Sequence, residues 1–219
     1  MFGWMKRKDQ QSPGLEAITQ KFEQMLEDGR HTFDATANTL LGGSDPEVIR
    51  EDLFQTDKRI NRMEQEIRRA LVVHGAVHGT FSFPELLVMM SLVKDAERIG
   101  DYAKNIFDLA VHNRTAFAED ERQRLVDLKD RISKVLVRAR NIYDQQDEEA
   151  ARRFLEDCDG LEDICDEAVH RLLAVKGLNK AASVLAYRYF KRIISHVANI
   201  VTSLVVPIDK LDYFDEPKI

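Results

Sequence analysis

The sequence predicts an all-α protein: six long antiparallel helices forming two tandem three-helix bundles. Three observations carry this. Apolar residues recur at alternating steps of three and four, the mark of a helix with one buried seam. Only five prolines and ten glycines break the chain of 219 residues, and aromatics make up 8%. No segment shows the strict alternation of a half-buried strand.

The first helix opens behind Ser12-Pro13, a cap followed by a proline in the first turn. Its seam begins Leu15, Ile18, Phe22, Met25, and Gly42-Gly43 ends it. Asp45-Pro46 starts the second, through Leu53, Ile60, Met63, Ile67 and Leu71, with a stop near Gly75 and Gly79. Ser82 and Glu85 have capping-box spacing ahead of the third. Its seam is Leu92, Ala96, Ile99, Ala103, Ile106, Ala110. After Asn113–Thr115 the fourth shows Leu125, Leu128, Ile132, Val135, Ala139, Ile142. The fifth is the most regular: Ala151, Phe154, Cys158, Leu161, Cys165, Ala168, Leu172, Val175, ended by Gly177. Asn179 caps the sixth, which runs along Ala186, Tyr189, Ile193, Val197, Ile200 and Leu204 to Pro207. Each helix is about 25 to 30 residues, or about 40 Å at 1.5 Å per residue. The short polar connectors make sequential helices antiparallel neighbours. The glycines read as helix-end caps.

Setting the third helix over the sixth with a 94-residue shift aligns "RIGDYAKNI" (98–106) with "RIISHVANI" (192–200), Arg-Ile at the start and Asn-Ile at the end. Two three-helix repeats follow, over 12–113 and 114–207, between an N-terminal tail (1–11) and a C-terminal tail (208–219).

Composition narrows the function. Acidic residues outnumber basic ones, 38 to 32, in close mixture, and the net charge of −6 offers no basic face for nucleic acid. Cys158 and Cys165 lie about 10 Å apart along one helix, too far for a disulfide. Buried thiols in a reducing cytoplasm are expected. Met1–Asp9 lacks the apolar run of a signal peptide, and "IVTSLVVPI" (200–208) is too short to span a bilayer. A soluble, cytoplasmic protein is the expectation. The apolar and basic residues around Phe2, Trp4 and Lys6–Lys8 read as a tail, with contact to anionic lipid as the alternative.

The stretch "DAERIGDYAKNIFDLA" (95–110) is rich in acids. On a helix turning 100° per residue, Glu97, Asp101 and Asp108 fall about 140°, 180° and 160° from the apolar seam, and Asp95 lies near the seam's edge. By spacing alone the stripe is a solvated face, neutralised by Lys94 and Lys104. The alternative is that Glu97 and Asp101, an E-x-x-x-D pair one turn apart, offer hard oxygen donors to a cation. On the second helix Asp57, Asn61 and Glu64 repeat the rhythm, and Asp57 is the candidate to complete such a site.

"DAERIGDYAKNI" resembles the signature of the PhoU family, an E-R-I-G-D-x-A-x-N-I element recurring in two three-helix repeats. The tail "PIDKLDYFDEP" (207–217) is a further point of contact. The resemblance implies a cytoplasmic regulator of phosphate uptake, without an activity of its own. It would act on a membrane phosphate transporter or a phosphate-sensing kinase. It also implies iron, zinc or manganese on the carboxylate stripe, held by Glu97 and Asp101. In the second repeat the 94-residue shift turns Glu97 into Lys191, Asp101 into Ser195 and Asp108 into Thr202. A lysine ammonium cannot ligate, so at most one site is expected. A homodimer is left open.

Other candidates carry less. His74 and His78 are four apart at a helix end; Glu167 and His170 form a single Glu-x-x-His step where a di-iron bundle needs two. No nucleophile elbow, Walker loop or dinucleotide fingerprint occurs. The competing classes are a metal-storage or metal-dependent hydrolytic bundle and a metal-free scaffold.

Overall fold

A computed structural model of the chain describes residues 13–78, 83–112, 117–175 and 180–211. Six helices fill them: α1 (Pro13–Gly42), α2 (Glu47–His78), α3 (Phe83–His112), α4 (Glu119–Gln145), α5 (Glu148–Ala174) and α6 (Ala181–Thr202). No strand occurs among the described residues.

The reversals are built from local chemistry. Between α1 and α2, Gly43 takes φ +70°, the left-handed conformation that closes a helix, and the Asp45 carboxylate accepts from the Glu47 amide at 3.0 Å. Between α4 and α5, Gln146 adopts φ 55°, and Asp147 then accepts from the amides of Glu149 and Ala150 at 3.0 and 2.9 Å. The α4 N-terminus has no side-chain cap, and three acids in its first turn, Glu119, Asp120 and Glu121, complement the helix dipole instead.

Three expectations are corrected here. Gly29, Gly75 and Gly100 do not cap helices but lie inside them, where a missing Cβ permits close approach. A Cβ on Gly29 would stand 3.1 Å from Ile99, one on Gly75 3.1 Å from Leu86, and one on Gly100 3.1 Å from Ile60. Helix α2 accordingly runs through Gly75 and ends at His78, so of the two glycines expected at its stop only Gly79 adjoins it. Helix α6 ends at Thr202, before Pro207. Ser203–Val206 turn back on the helix end, and a short 3-10 turn at Ile208–Lys210 precedes Leu211, which packs on the core. The proposed caps Ser82 and Asn179, both tails' outer residues (1–11 and 212–219) and the connector at 113–116 lie outside the described residues.

Pairwise contacts fix the directions. Lys21–Glu66 and Arg59–Asp28 tie α1 to α2 in antiparallel sense. Glu27–Arg140 and Ser133–Asp34 do the same for α1 and α4. Helix α3 lies antiparallel to α6, through Asp95–Asn199 and Tyr102–Arg192. Helix α2 flanks α1 and α3, and α5 flanks α6 and α4.

A single contiguous apolar core runs through all six helices. Aromatic pairs carry it across the repeats: Phe33 on Phe190 (5.5 Å between ring centroids) joins α1 to α6, and Phe22 on Tyr143 (5.1 Å) joins α1 to α4. The repeats therefore share one interior. Cys158 and Cys165 are free and buried within it, and burial pushes the Cys165 thiol up to about 12. Both are inert packing groups at neutral pH.

Candidate functional site

The residues singled out on α3 divide between two faces. Asp95 points into the seam with α6. Its Oδ1 takes His196 Nδ1 at 2.8 Å and the Asn199 amide at 3.2 Å, and all of this is buried or half-buried. Tyr102 stacks on His196 at 5.6 Å and packs on Tyr189 at 6.2 Å. Arg192 covers the outer face of the Tyr102 ring and donates to its hydroxyl at 3.2 Å. The 94-residue shift carries Asp95 onto Tyr189 and His196 onto Tyr102. The Asp95–His196 and Tyr189–Tyr102 contacts are thus images of one another across a local twofold, and Arg98 is the image of Arg192.

Glu97 and Asp101 stand on the other face, toward α2. Glu97 is not the solvated acid its angular position predicts: it is 8% exposed, as is Glu64 opposite. Lys94 covers it, with Nζ 2.6 Å from Glu97 Oε2 and 4.0 Å from Glu64. Arg68 takes the Glu64 carboxylate at 2.9 Å. Asp101 accepts from Arg98 at 3.3 Å and from Lys104 at 2.9 Å. Lys104 also reaches across to α2, where its Nζ lies 2.7 Å from Asp57 Oδ1. Asn61 donates to the other Asp57 oxygen at 3.3 Å. The structure thus brings Asp57 and Asp101 together around one ammonium, with Glu97 hydrogen-bonded to Asp101 and paired with Lys94. Asp108 is exposed, in a shallow cleft of about 460 Å³ with Phe54, Arg98, Tyr102 and Lys104.

The titration behaviour follows from these neighbours. Burial raises the Glu97 carboxyl, with the Asp101 charge adding and Lys94 opposing. Burial works against ionisation of Asp101 as well, but hydrogen bonds with Lys104 and Glu97 bring it below the ordinary range. Burial likewise works against the Lys104 charge, and its two carboxylate partners overcome that and raise it.

The second repeat carries a counterpart that sequence reading of α6 alone missed. Glu162 and Asp166 on α5 are themselves an E-x-x-x-D pair. Lys191 stands 2.5 Å from Asp166 and 3.6 Å from Glu162, Ser195 donates to Glu162 at 2.8 Å, and Arg188 reaches Asp166 at 3.3 Å. Glu167 and His170 are exposed on α5. Another buried acid, Glu121, ties α4 to Arg171 of α5 and Tyr187 of α6.

The sequence model of the PhoU domain matches residues 22–110, which include most of α1, all of α2 and the E-R-I-G-D-Y-A-K-N-I stretch of α3. Residues 22–110 are a PhoU domain. Two solved structures share the fold over most of this chain. The phosphate transport system regulatory protein PhoU from Streptococcus pneumoniae aligns with a TM-score of 0.72 at 18% identity, covering 94% of this chain and 98% of its own. PhoU from Pseudomonas aeruginosa aligns with a TM-score of 0.73 at 18% identity, covering 87% and 95%. No curated protein matches the sequence.

The carboxylate face lacks the donor set of the metal site expected from the family resemblance. Among the described residues no three His, Cys, Asp or Glu side chains converge as a cation site requires. The oxygens of Asp57 and Asp101 that face each other hold Lys104 between them. A divalent ion placed there would have to displace an ammonium that both carboxylates already bind. The residues present do not fit the metal.

Proposed function

We propose that this PhoU-domain protein is a cytoplasmic regulator of phosphate transport, working by docking to a membrane phosphate transporter or a phosphate-sensing kinase and carrying out no reaction itself. The observation that supports the reading best is the PhoU domain at 22–110, whose signature helix α3 lines an open charged face. Acids and bases alternate over that face, and the cleft beside Asp101 and Asp108 is shallow and polar. Such a surface suits reversible docking to polar loops. Exposed ion pairs contribute about 0–1 kcal/mol each, so binding would be transient and weakened by salt. No helix among the described residues is long and apolar enough to cross a membrane, so the partner supplies the membrane component.

The test is deletion of the gene in its own organism, followed by phosphate uptake and a phosphate-starvation reporter. Loss should alter one or both, and the wild-type gene should restore them. An Arg98→Glu/Arg192→Glu copy, reversing the two exposed arginines beside Tyr102, should fold but not restore them. Unchanged uptake and reporter in the deletion strain would remove phosphate regulation as the function.

A further inference from the structure

We propose that two lysine ammonium groups, Lys104 in the first repeat and Lys191 in the second, permanently occupy the cation positions of the two carboxylate faces, making this protein metal-independent. The inference concerns the purified molecule and stands apart from the identity of its partner.

Geometry carries it. Lys104 bridges two helices as a bound ion would, 2.7 Å from Asp57 on α2 and 2.9 Å from Asp101 on α3. Lys191 bridges α5 and α6, 2.5 Å from Asp166 and 3.6 Å from Glu162. Both side chains are mostly covered, 28% and 22% exposed, and so are held rather than waving in solvent. The acids between the paired helices each meet a basic partner. Asp57, Glu64, Glu97 and Asp101 face Arg68, Lys94, Arg98 and Lys104 in the first repeat; Glu162 and Asp166 face Arg188 and Lys191 in the second. A divalent ion would compete for carboxylates already ion-paired and would meet an ammonium at close range, where like charges repel strongly.

The two lysines are not copies of one ancestral position. Under the 94-residue shift Lys104 falls on Ala198, and Lys191 falls on Glu97. Each repeat has therefore placed a fixed cation between its carboxylates from a different site on its third helix. Two separate solutions to one electrostatic problem point to the neutralised face itself as the feature retained. A chain built this way keeps the same surface whether its surroundings are rich or poor in iron, zinc or manganese.

The experiment measures metal content and thermal stability of the full chain purified from manganese- and zinc-supplemented medium. Wild type should carry fewer than about one metal per ten chains, and its Tm should not move with excess Mn²⁺, Zn²⁺ or EDTA. Lys104→Met and Lys191→Met each uncover a carboxylate pair. Each should melt lower in EDTA and regain about 5 °C or more on adding Mn²⁺. Lys104→Arg, which keeps the charge, should behave as wild type. Should Lys104→Met fail to fold, Lys104→Gln and the independent Lys191→Met carry the same comparison. Stoichiometric metal in wild type that Asp57→Asn or Asp101→Asn removes would overturn the proposal. So would methionine variants that melt like wild type and ignore Mn²⁺.

Discussion

Glu121→Ala is the substitution whose cost can be worked most fully from the structure. Glu121 lies in the first turn of α4 and is 2% exposed. Its carboxylate accepts two hydrogen bonds from the Arg171 guanidinium, at 2.9 and 3.1 Å, and one from the Tyr187 hydroxyl at 2.7 Å. One side chain thus locks all three helices of the second repeat at one end. Truncation strands the Tyr187 hydroxyl in a buried place, at about 1–3 kcal/mol. Arg171 is 42% exposed and regains water, so its lost charge-assisted bonds are discounted to about 1 kcal/mol. The acid also favours the α4 N-terminus by about 0.5 kcal/mol. A loss near 3–4 kcal/mol follows, or a drop of about 10 °C in Tm at this chain length. The pH dependence has a definite sign. Burial opposes ionisation of Glu121, but Arg171 and Tyr187 outweigh it and hold the carboxyl below the usual glutamate range. Its stabilisation is therefore full above the unfolded-state value, about 4.3, and is lost as pH falls through the lower folded value. Urea denaturation of wild type and variant at pH 7 and in the acid range reads both quantities. A deficit below about 1 kcal/mol at pH 7, or a gap that does not narrow in acid, would refute the reasoning.

Two further predictions concern the helix contacts that place the carboxylate face. Asp95→Ala and His196→Ala should show a coupling of about 1–2 kcal/mol in a double-mutant cycle, since the first removes the partner of the buried His196 Nδ1 and the second leaves the Asp95 carboxylate with Asn199 alone at the α3–α6 seam; additive effects would make that pair a bystander. Gly100→Leu should cost about 2–3 kcal/mol by forcing α2 away from α3, whereas Gly100→Ala should be close to neutral, because its Cβ meets only the mobile tip of Ile60 at 3.1 Å and gains helix propensity. Equal destabilisation by both would mean that the approach of α2 to α3 does not depend on that glycine.

The helical plan was legible because each helix must bury a stripe, and a stripe leaves its period in the sequence. Leu92, Ala96, Ile99, Ala103 and Ile106 are all at most 1% exposed, as their spacing requires. The fifth seam is buried from Ala151 to Leu172, and only Val175, one residue past the helix, is exposed. What periodicity could not show is which residues tolerate close approach. Gly29 and Gly100 read as helix-end caps in sequence, yet Gly29 on α1 is where Ile99 of α3 comes close, and Gly100 on α3 is where Ile60 of α2 does. The 3.6-residue period says that a position faces inward or outward, and it says nothing about the distance to the neighbour. The stop of α6 was misplaced for a similar reason. Leu204 is buried like a seam residue, but it reaches the core from a turn that Pro207 follows, not from a continued helix.

The site was legible in its residues and illegible in its partners. Angular position alone put Glu97 in solvent, because a helical wheel refers each residue to its own seam and cannot see α2 lying alongside. Lys94 and Lys104 were visible as local counter-ions three residues from Glu97 and Asp101, and they do play that part. The decisive contact, Lys104 to Asp57, joins positions 47 residues apart and arises only when α2 folds back on α3. In the second repeat the signal was present but lay on the other helix: Glu162 and Asp166 keep the four-residue spacing on α5 that α6 has lost. Judged by α6 alone, Lys191 marks a missing ligand. Seen with α5, it is the cation, standing at the position that Glu97 holds in the first repeat. A signature of ligating acids therefore has to be read together with the lysines around it, and in this chain Lys104 and Lys191 are already paired with those acids.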